Sequence, residues 1–226
     1  MTKFEGFGAE VGTWFLDLEK DNSREYFVAT RDFFEKSIRD QMEALLTELS
    51  EKFGGDVKMI RQNRDVRFSA DKSPYKTNTY GVVYGSGIAA QGLYASISAR
   101  GLVAGSGYHM MARDQLERYR DGVADPTYGP KLKTLAAKAE KAGLDLWGES
   151  LATAPRGYPK EHERIELLRR KSLSLGATLE LGRGISHTDG LRFVSKTWRS
   201  AAPVTGWLDE HVGPSAMPVA RLRHRR

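Results

Sequence analysis

The chain contains no cysteine. That single absence removes disulfides, thiolate metal sites, iron–sulfur clusters and cysteine nucleophiles together. It also lacks G-x-x-x-x-G-K-[ST], H-E-x-x-H and G-x-S-x-G, so no P-loop, zincin helix or nucleophile elbow is present. Met1 to Glu10 show no basic-then-apolar leader pattern, which makes a cytoplasmic location the expectation. Charge is scarce between Thr77 and Ala112, where Arg100 is the only charged side chain. Seven glycines and many hydroxyl and amide residues cut that stretch, so it reads as sheet and not as a membrane span. What remains is 226 residues with 40% hydrophobic and 28% charged content, enough for a packed core. A single α+β domain over 1–216 is expected, followed by a basic tail, 217–226, expected to be mobile.

The formal charge of +6 is unevenly spread. Residues 1–56 carry 7 basic and 13 acidic side chains, residues 58–76 carry 6 and 2, and residues 156–171 carry 6 and 3. Clustered cations attract phosphate or carboxylate over a screening length of ~8–10 Å. The same clusters equally suit ion pairing with the acidic first quarter inside the fold.

Apolar spacing predicts a helix around Gly8 to Leu18 and a long one from Asn22 to Phe53. In the second, Phe27, Phe34, Ile38, Met42, Leu45, Leu49 and Phe53 form one stripe, Asn22 and Glu25 read as a capping box, and Gly54-Gly55 stops it. Leu93, Ala95, Ile97 and Ala99 alternate with polar residues as in a half-buried strand. Val57–Ile60, Val66–Phe68, Tyr80–Tyr84 and Gly101–Ala104 are its expected antiparallel neighbours. Helical patterns return over 114–123, 128–142 and 162–173, and again around Leu191, Val194, Trp198, Trp207 and Leu208. Helices, then strands, then helices give an α+β fold: N-terminal helices, a central mostly antiparallel sheet and C-terminal helices.

Gly85-Ser86-Gly87-Ile88-Ala89-Ala90 matches part of a dinucleotide fingerprint, yet a strand pattern follows where a helix is required, so a β-turn explains it better. His187-Thr188-Asp189 with His211 resembles a two-histidine, one-carboxylate triad. The loop-then-helix context favours Asp189 as a helix cap, and no metal ligand is assigned. The strongest local signal is the run 61–76, holding Arg61, Arg64, Asp65, Arg67, Lys72, Tyr75 and Lys76. Read as a strand, Arg64–Phe68 puts Asp65 and Arg67 on one face, each holding the other charged. Asp71 or Ser73 and Pro74 then shape a turn from which Lys72, Tyr75 and Lys76 project toward an anion. The alternative is a structural cluster that welds the sheet to the acidic helix. Ahead of the basic helix pattern at 162–173, the loop at Arg156 and Tyr158 offers a further anion contact. Gly105-Ser106-Gly107-Tyr108-His109 reads as a glycine-rich turn carrying a titratable His109.

The string RDVRFSADKSPYKTN, residues 64–78, closely resembles the signature of the domain of unknown function 2461 family. GFG…FLDLEKDNSREYF, GLYASIS, GSGYHM ahead of DQLERYR, and PRGYPKEHERIELLRRKSL are similar to further blocks of that family, with weaker similarity to Trp207. Asp21 and Tyr26 depart from the pattern, which more often has Asn and Trp there. The resemblance implies an α+β protein and brings no reaction with it. Three functions stay open. The leading one is a pocket of Arg61, Arg64, Arg67, Lys72, Tyr75 and Lys76, joined by Arg156 and Tyr158, that binds a phosphate- or carboxylate-bearing small molecule. The second is an enzyme on an anionic substrate, with Asp65 or Asp71 as base or metal ligand and His109 as proton carrier. The third is non-specific nucleic-acid binding through Phe68, Tyr75 and the arginine tail. No motif identifies a cofactor.

Overall fold

Val11, Trp14, Phe15 and Leu18 recur at helical spacing. In the structure, a computed structural model describing residues 3–87, 89 and 91–217, they form the buried face of α1 (Glu10–Lys20). The stripe that predicts one helix over 22–53 is divided. Ser23, not Asn22, caps α2 (Arg24–Ala29), its hydroxyl accepting from Tyr26 N at 3.1 Å. At Thr30 the backbone leaves helical geometry (φ −107°, ψ 11°), and the Thr30 hydroxyl donates to Tyr26 O at 2.9 Å. The chain resumes through α3 (Arg31–Phe33), a π-helical turn (Phe34–Arg39) and α4 (Asp40–Phe53). A π turn is wider than an α turn. It therefore keeps Phe34, Ile38 and Met42, each four residues apart, on one buried stripe with Leu45 and Leu49. Gly54, at φ 74°, ends α4 as expected.

Six strands form the central antiparallel sheet: β2 (Asp56–Met59), β3 (Asn78–Tyr84), β4 (Leu93–Ser98), β5 (Gly101–Tyr108), β6 (Asp145–Trp147) and β7 (Leu173–Glu180). Their order is β2-β3-β4-β5-β7-β6. In register, Val57 faces Val83 and Val83 faces Leu93. A separate ribbon pairs β1 (Gly6–Gly8) with β8 (Gly184–Ser186). The α+β expectation holds, with three local differences. Glycines 105 and 107 lie within β5 and not in a turn. The helix expected at 162–173 shrinks to α7 (Ile165–Leu168), because Leu173 opens β7. The loop expected ahead of Asp189 ends in β8, and α8 (His187–His211) follows at once. Ser186 caps α8, accepting from Asp189 N at 3.2 Å and donating to the Asp189 carboxylate at 2.7 Å, so Asp189 is the reciprocal partner of the cap.

The chain divides into two units. The first is Met1–Gly87 with Gly92–Ala104 and Thr178–Lys196. Within it α4 lies on β2, β3 and β4. Gly81 permits that approach, since a Cβ there would stand 2.4 Å from Leu46 Cδ1. The second unit is Ile88–Gln91 with Gly105–Ala177 and Thr197–Arg226. It holds α5 (Arg113–Ala124) and α6 (Tyr128–Lys141), packed around Tyr108, Tyr119, Leu132, Leu168 and Trp207. Arg164, from the basic stretch 156–171, is no surface charge. Only 5% exposed, its guanidinium donates to Val123 O (2.7 Å) and Ala124 O (3.0 Å), satisfying carbonyls at the end of α5. Among the described residues no helix is long and apolar enough to cross a membrane. Apart from Met217, the basic tail 217–226 lies outside the described residues.

Candidate functional site

Residues 60–77 form a long excursion between β2 and β3. Its neck continues the hairpin: Ile60 N donates to Tyr80 O (3.0 Å), Lys76 N to Gln62 O (3.0 Å) and Arg64 N to Pro74 O (2.8 Å), with Asn63 opposite Tyr75. Beyond the neck the strand expected over 64–68 does not form. Ser69 N reaches back to Val66 O at 3.4 Å, and the chain turns. Asp65 turns it by accepting from the backbone N–H of its neighbour but one, Arg67, at 3.3 Å, and the same carboxylate takes the Arg67 guanidinium at 2.9 and 2.6 Å. The expected pairing of Asp65 with Arg67 is present, made by a turn and not by a strand face.

Asp71 does the corresponding job on the other side of the tip. It accepts from Ser73 N (2.9 Å) and the Ser73 hydroxyl (2.6 Å), and it pairs with Arg64. Lys72 Nζ donates to Val66 O at 3.0 Å. Both carboxylates of the run are thus consumed within the loop. Arg67 is 76% exposed, so the weld to the acidic helix is absent for this residue. Phe68 is 70% exposed, with the Arg67 guanidinium 5.8 Å from its ring centre.

The neck is fastened by a residue that sequence reading assigned to a cap. Antiparallel pairing with Asn63 leaves the N–H and C=O of Tyr75 facing away from the partner strand. The Asn22 side chain meets both, accepting from Tyr75 N at 3.0 Å and donating to Tyr75 O at 3.2 Å. One amide side chain stands where a third strand would. Tyr75 does not project toward a ligand. Its ring is 7% exposed and stacks on Phe27, with centroids 4.0 Å apart and planes at 12°. Gln62, likewise missed, is 8% exposed and bridges the strands, donating to Asn78 O at 3.3 Å and accepting from the Thr79 hydroxyl at 3.0 Å.

Between neck and α1 lies a cleft of about 450 Å³, lined by Glu19, Asn22, Arg64, Asp71, Lys76 and Asn78 among others. Its charged lining balances, two cations against two carboxylates, so it is polar and not the net-basic pocket expected. Lys76 Nζ donates to Asn63 O (2.9 Å) and to Arg61 O, and stands 5.8 Å from the centre of the Tyr80 ring. Burial and the neighbouring Arg61 and Arg64 push its pKa down. The Arg61 side chain is exposed and makes no hydrogen bond or ion pair among the described residues. Hydrogen bonds from Arg67 hold Asp65 well below the usual carboxylate range, and those from Ser73, then Arg64, do the same for Asp71.

The remaining candidates belong to the second unit. Tyr158 is half-buried and donates to Asp121 at 3.1 Å, while Arg156 and His109 are exposed. Among the described residues no group of histidines and carboxylates is arranged to hold a metal.

The family described as "Conserved hypothetical protein (DUF2461)" matches residues 10–207. The chain belongs to that family. The string resembling the DUF2461 signature, residues 64–78, spans the tip and returning strand of the loop just described. Where the chain departs from the DUF2461 pattern, Asp21 accepts from Ser23 N at 3.2 Å and the Tyr26 hydroxyl lies 3.5 Å from Trp14 O. No curated protein matches the chain.

Proposed function

We propose that the cleft beneath the 60–77 loop binds a small molecule bearing a carboxylate or phosphate. The observation that supports this is the convergence of Arg64 and Lys76 on one polar cleft, with side-chain amides and hydroxyls around them. Arg64 is held by Asp71, whose carboxyl group is 58% exposed. A ligand oxyanion would take the place of Asp71 on Arg64 and accept the remaining donor of Lys76. Glu19, on the same lining, would take a hydroxyl or amine hydrogen from the rest of the molecule. Binding is favoured over catalysis by the state of the two aspartates. A general base works best with a pKa near the working pH, and both carboxylates are shifted the opposite way.

Titrating the full chain with inorganic phosphate and with succinate, followed by amide NMR, tests the proposal. Saturable shifts are expected at Asn22, Lys76 and Asn78. Arg64→Ala should weaken the affinity at least about tenfold, or ~1.4 kcal/mol. Shifts absent with both anions, or unchanged affinity in Arg64→Ala, would overturn it.

A further inference from the structure

A second cleft, of about 680 Å³, opens in the same unit beside the β1–β8 ribbon. Three elements meet there. The ribbon contributes glycine-rich backbone and Arg183, the π-helical turn contributes Lys36 and Ser37, and the start of α1 contributes Glu10. π turns recur at functional sites because the extra residue displaces side chains from the regular helix surface. Ala9 at the head of α1 offers no side-chain cap, so backbone donors of the first turn are left to other partners.

Gln41 decides how the cleft is read. It lines the cleft and is only 9% exposed. Its Oε1 accepts from Glu5 N at 2.8 Å, which fixes the amide orientation, and its Nε2 has no partner among the described residues. That donor opens to the cleft and is held in one orientation, so it stands ready to give its hydrogen to a ligand. The charges around it are exposed, and none of them pairs with another across the lining. Glu5, Glu10 and Arg183 make no ion pair among the described residues, and Lys36 approaches only Asp32, at 4.0 Å, outside the cleft lining. Glu10 folds back over Gly8, where an added Cβ would stand 2.1 Å from its carboxylate. In the cleft under the loop, Arg64 and Asp71 neutralise each other; here two carboxylates and two cations share a lining without pairing with one another.

From this pattern we infer that the cleft is a binding site for a small zwitterion of the α-amino-acid class. Its carboxylate accepts from Gln41 Nε2, Arg183 and Lys36, and its ammonium donates to Glu10 and Glu5. A simple anion would face two uncompensated carboxylates, and a simple cation two uncompensated ammonium or guanidinium groups. Only a ligand carrying both signs satisfies all four.

The experiment titrates the full chain with each common α-amino acid singly, following the backbone amides of Gly8, Gln41 and Gly184 by NMR. N-acetylated and C-amidated forms of any binder serve as one-charge probes. At least one free amino acid should give saturable shifts, and each one-charge form should bind at least about tenfold more weakly. Glu10→Gln and Arg183→Ala, neither of which breaks a pairing in the free protein, should each weaken binding with the thermal unfolding midpoint unchanged. Should either variant misfold, Lys36→Ala provides the same readout. Arg64→Ala should leave this binding intact, which separates it from the site under the loop. No shift with any amino acid, or equal binding of the N-acetyl form, would overturn the inference.

Discussion

Replacing Asn22 with alanine removes both hydrogen bonds that hold the outward edge of Tyr75. Each bond is worth about 0.5–1.5 kcal/mol net, so the pair contributes about 1–3 kcal/mol to the closed loop. Tyr75 cannot turn its free N–H and C=O to solvent cheaply, because its ring is stacked on Phe27 in the core of the first unit. The cost should therefore fall on the neck and not spread through the chain. Native-state hydrogen exchange measures this directly. The Tyr75 amide should lose about 5- to 150-fold in protection, while amides of β4 keep theirs. Ser23→Ala is the matched control. It removes the cap of α2 at a cost of about 0.5–2 kcal/mol, and the Tyr75 amide should be unaffected. Unchanged protection of Tyr75 in Asn22→Ala would refute the strand-mimic role.

Two further outcomes follow from the electrostatics. Because Asp65 and Asp71 have folded-state pKa values below their unfolded ones, their contribution to loop order is complete above the ordinary aspartate range of about 3.9 and is lost as pH falls through the lower, folded values. The Ser73 amide shift should thus stay constant down to about pH 4 and titrate only below it; a midpoint at the ordinary value would show that the loop does not hold its aspartates. In the second unit, Tyr108 is 1% exposed and donates to Asp209 at 3.0 Å, and burial first, then Asp209, raises its pKa. Tyr108→Phe should cost about 1.5–3 kcal/mol in urea unfolding, and a change within experimental error would remove that bond from the energetics.

Much of the fold is legible in the residue order because burial follows periodicity. The stripes of α1 and α4 are read directly from apolar spacing, and the alternation in β4 locates the strand although Ser96 is buried with its apolar neighbours. The reading fails where a non-local partner decides the local conformation. Leu173 fits the helical pattern before it equally well, and only the place of β7 between β5 and β6 in the sheet makes it a strand residue. Thr30 interrupts a continuous apolar stripe without proline or glycine, through a hydroxyl bond to Tyr26 O that composition does not announce. In the candidate site the Asp65–Arg67 and Asp71–Ser73 bonds are two residues apart and were visible. Asn22 and Tyr75 are 53 residues apart, so the clamp between them has no signature in either neighbourhood. Arg164 shows the same effect, since a buried guanidinium and a solvated one look alike in sequence.

The loop tip satisfies its own charges and is fastened below by the Asn63–Tyr75 neck, which makes it a detachable module. Arg64 and Pro74 already face each other across the hairpin, joined by a 2.8 Å hydrogen bond. Residues 65–73 are therefore bracketed by ends that a two-residue Asn-Gly turn can join in register once Pro74 is replaced by a residue whose N–H can close that turn. Such an excised chain keeps Asn22, Tyr75 and the β2–β3 ladder while shedding Asp65, Arg67, Phe68 and Asp71. The architecture thus offers a way to separate what the scaffold needs from what the tip is for, by surgery at one point on the backbone.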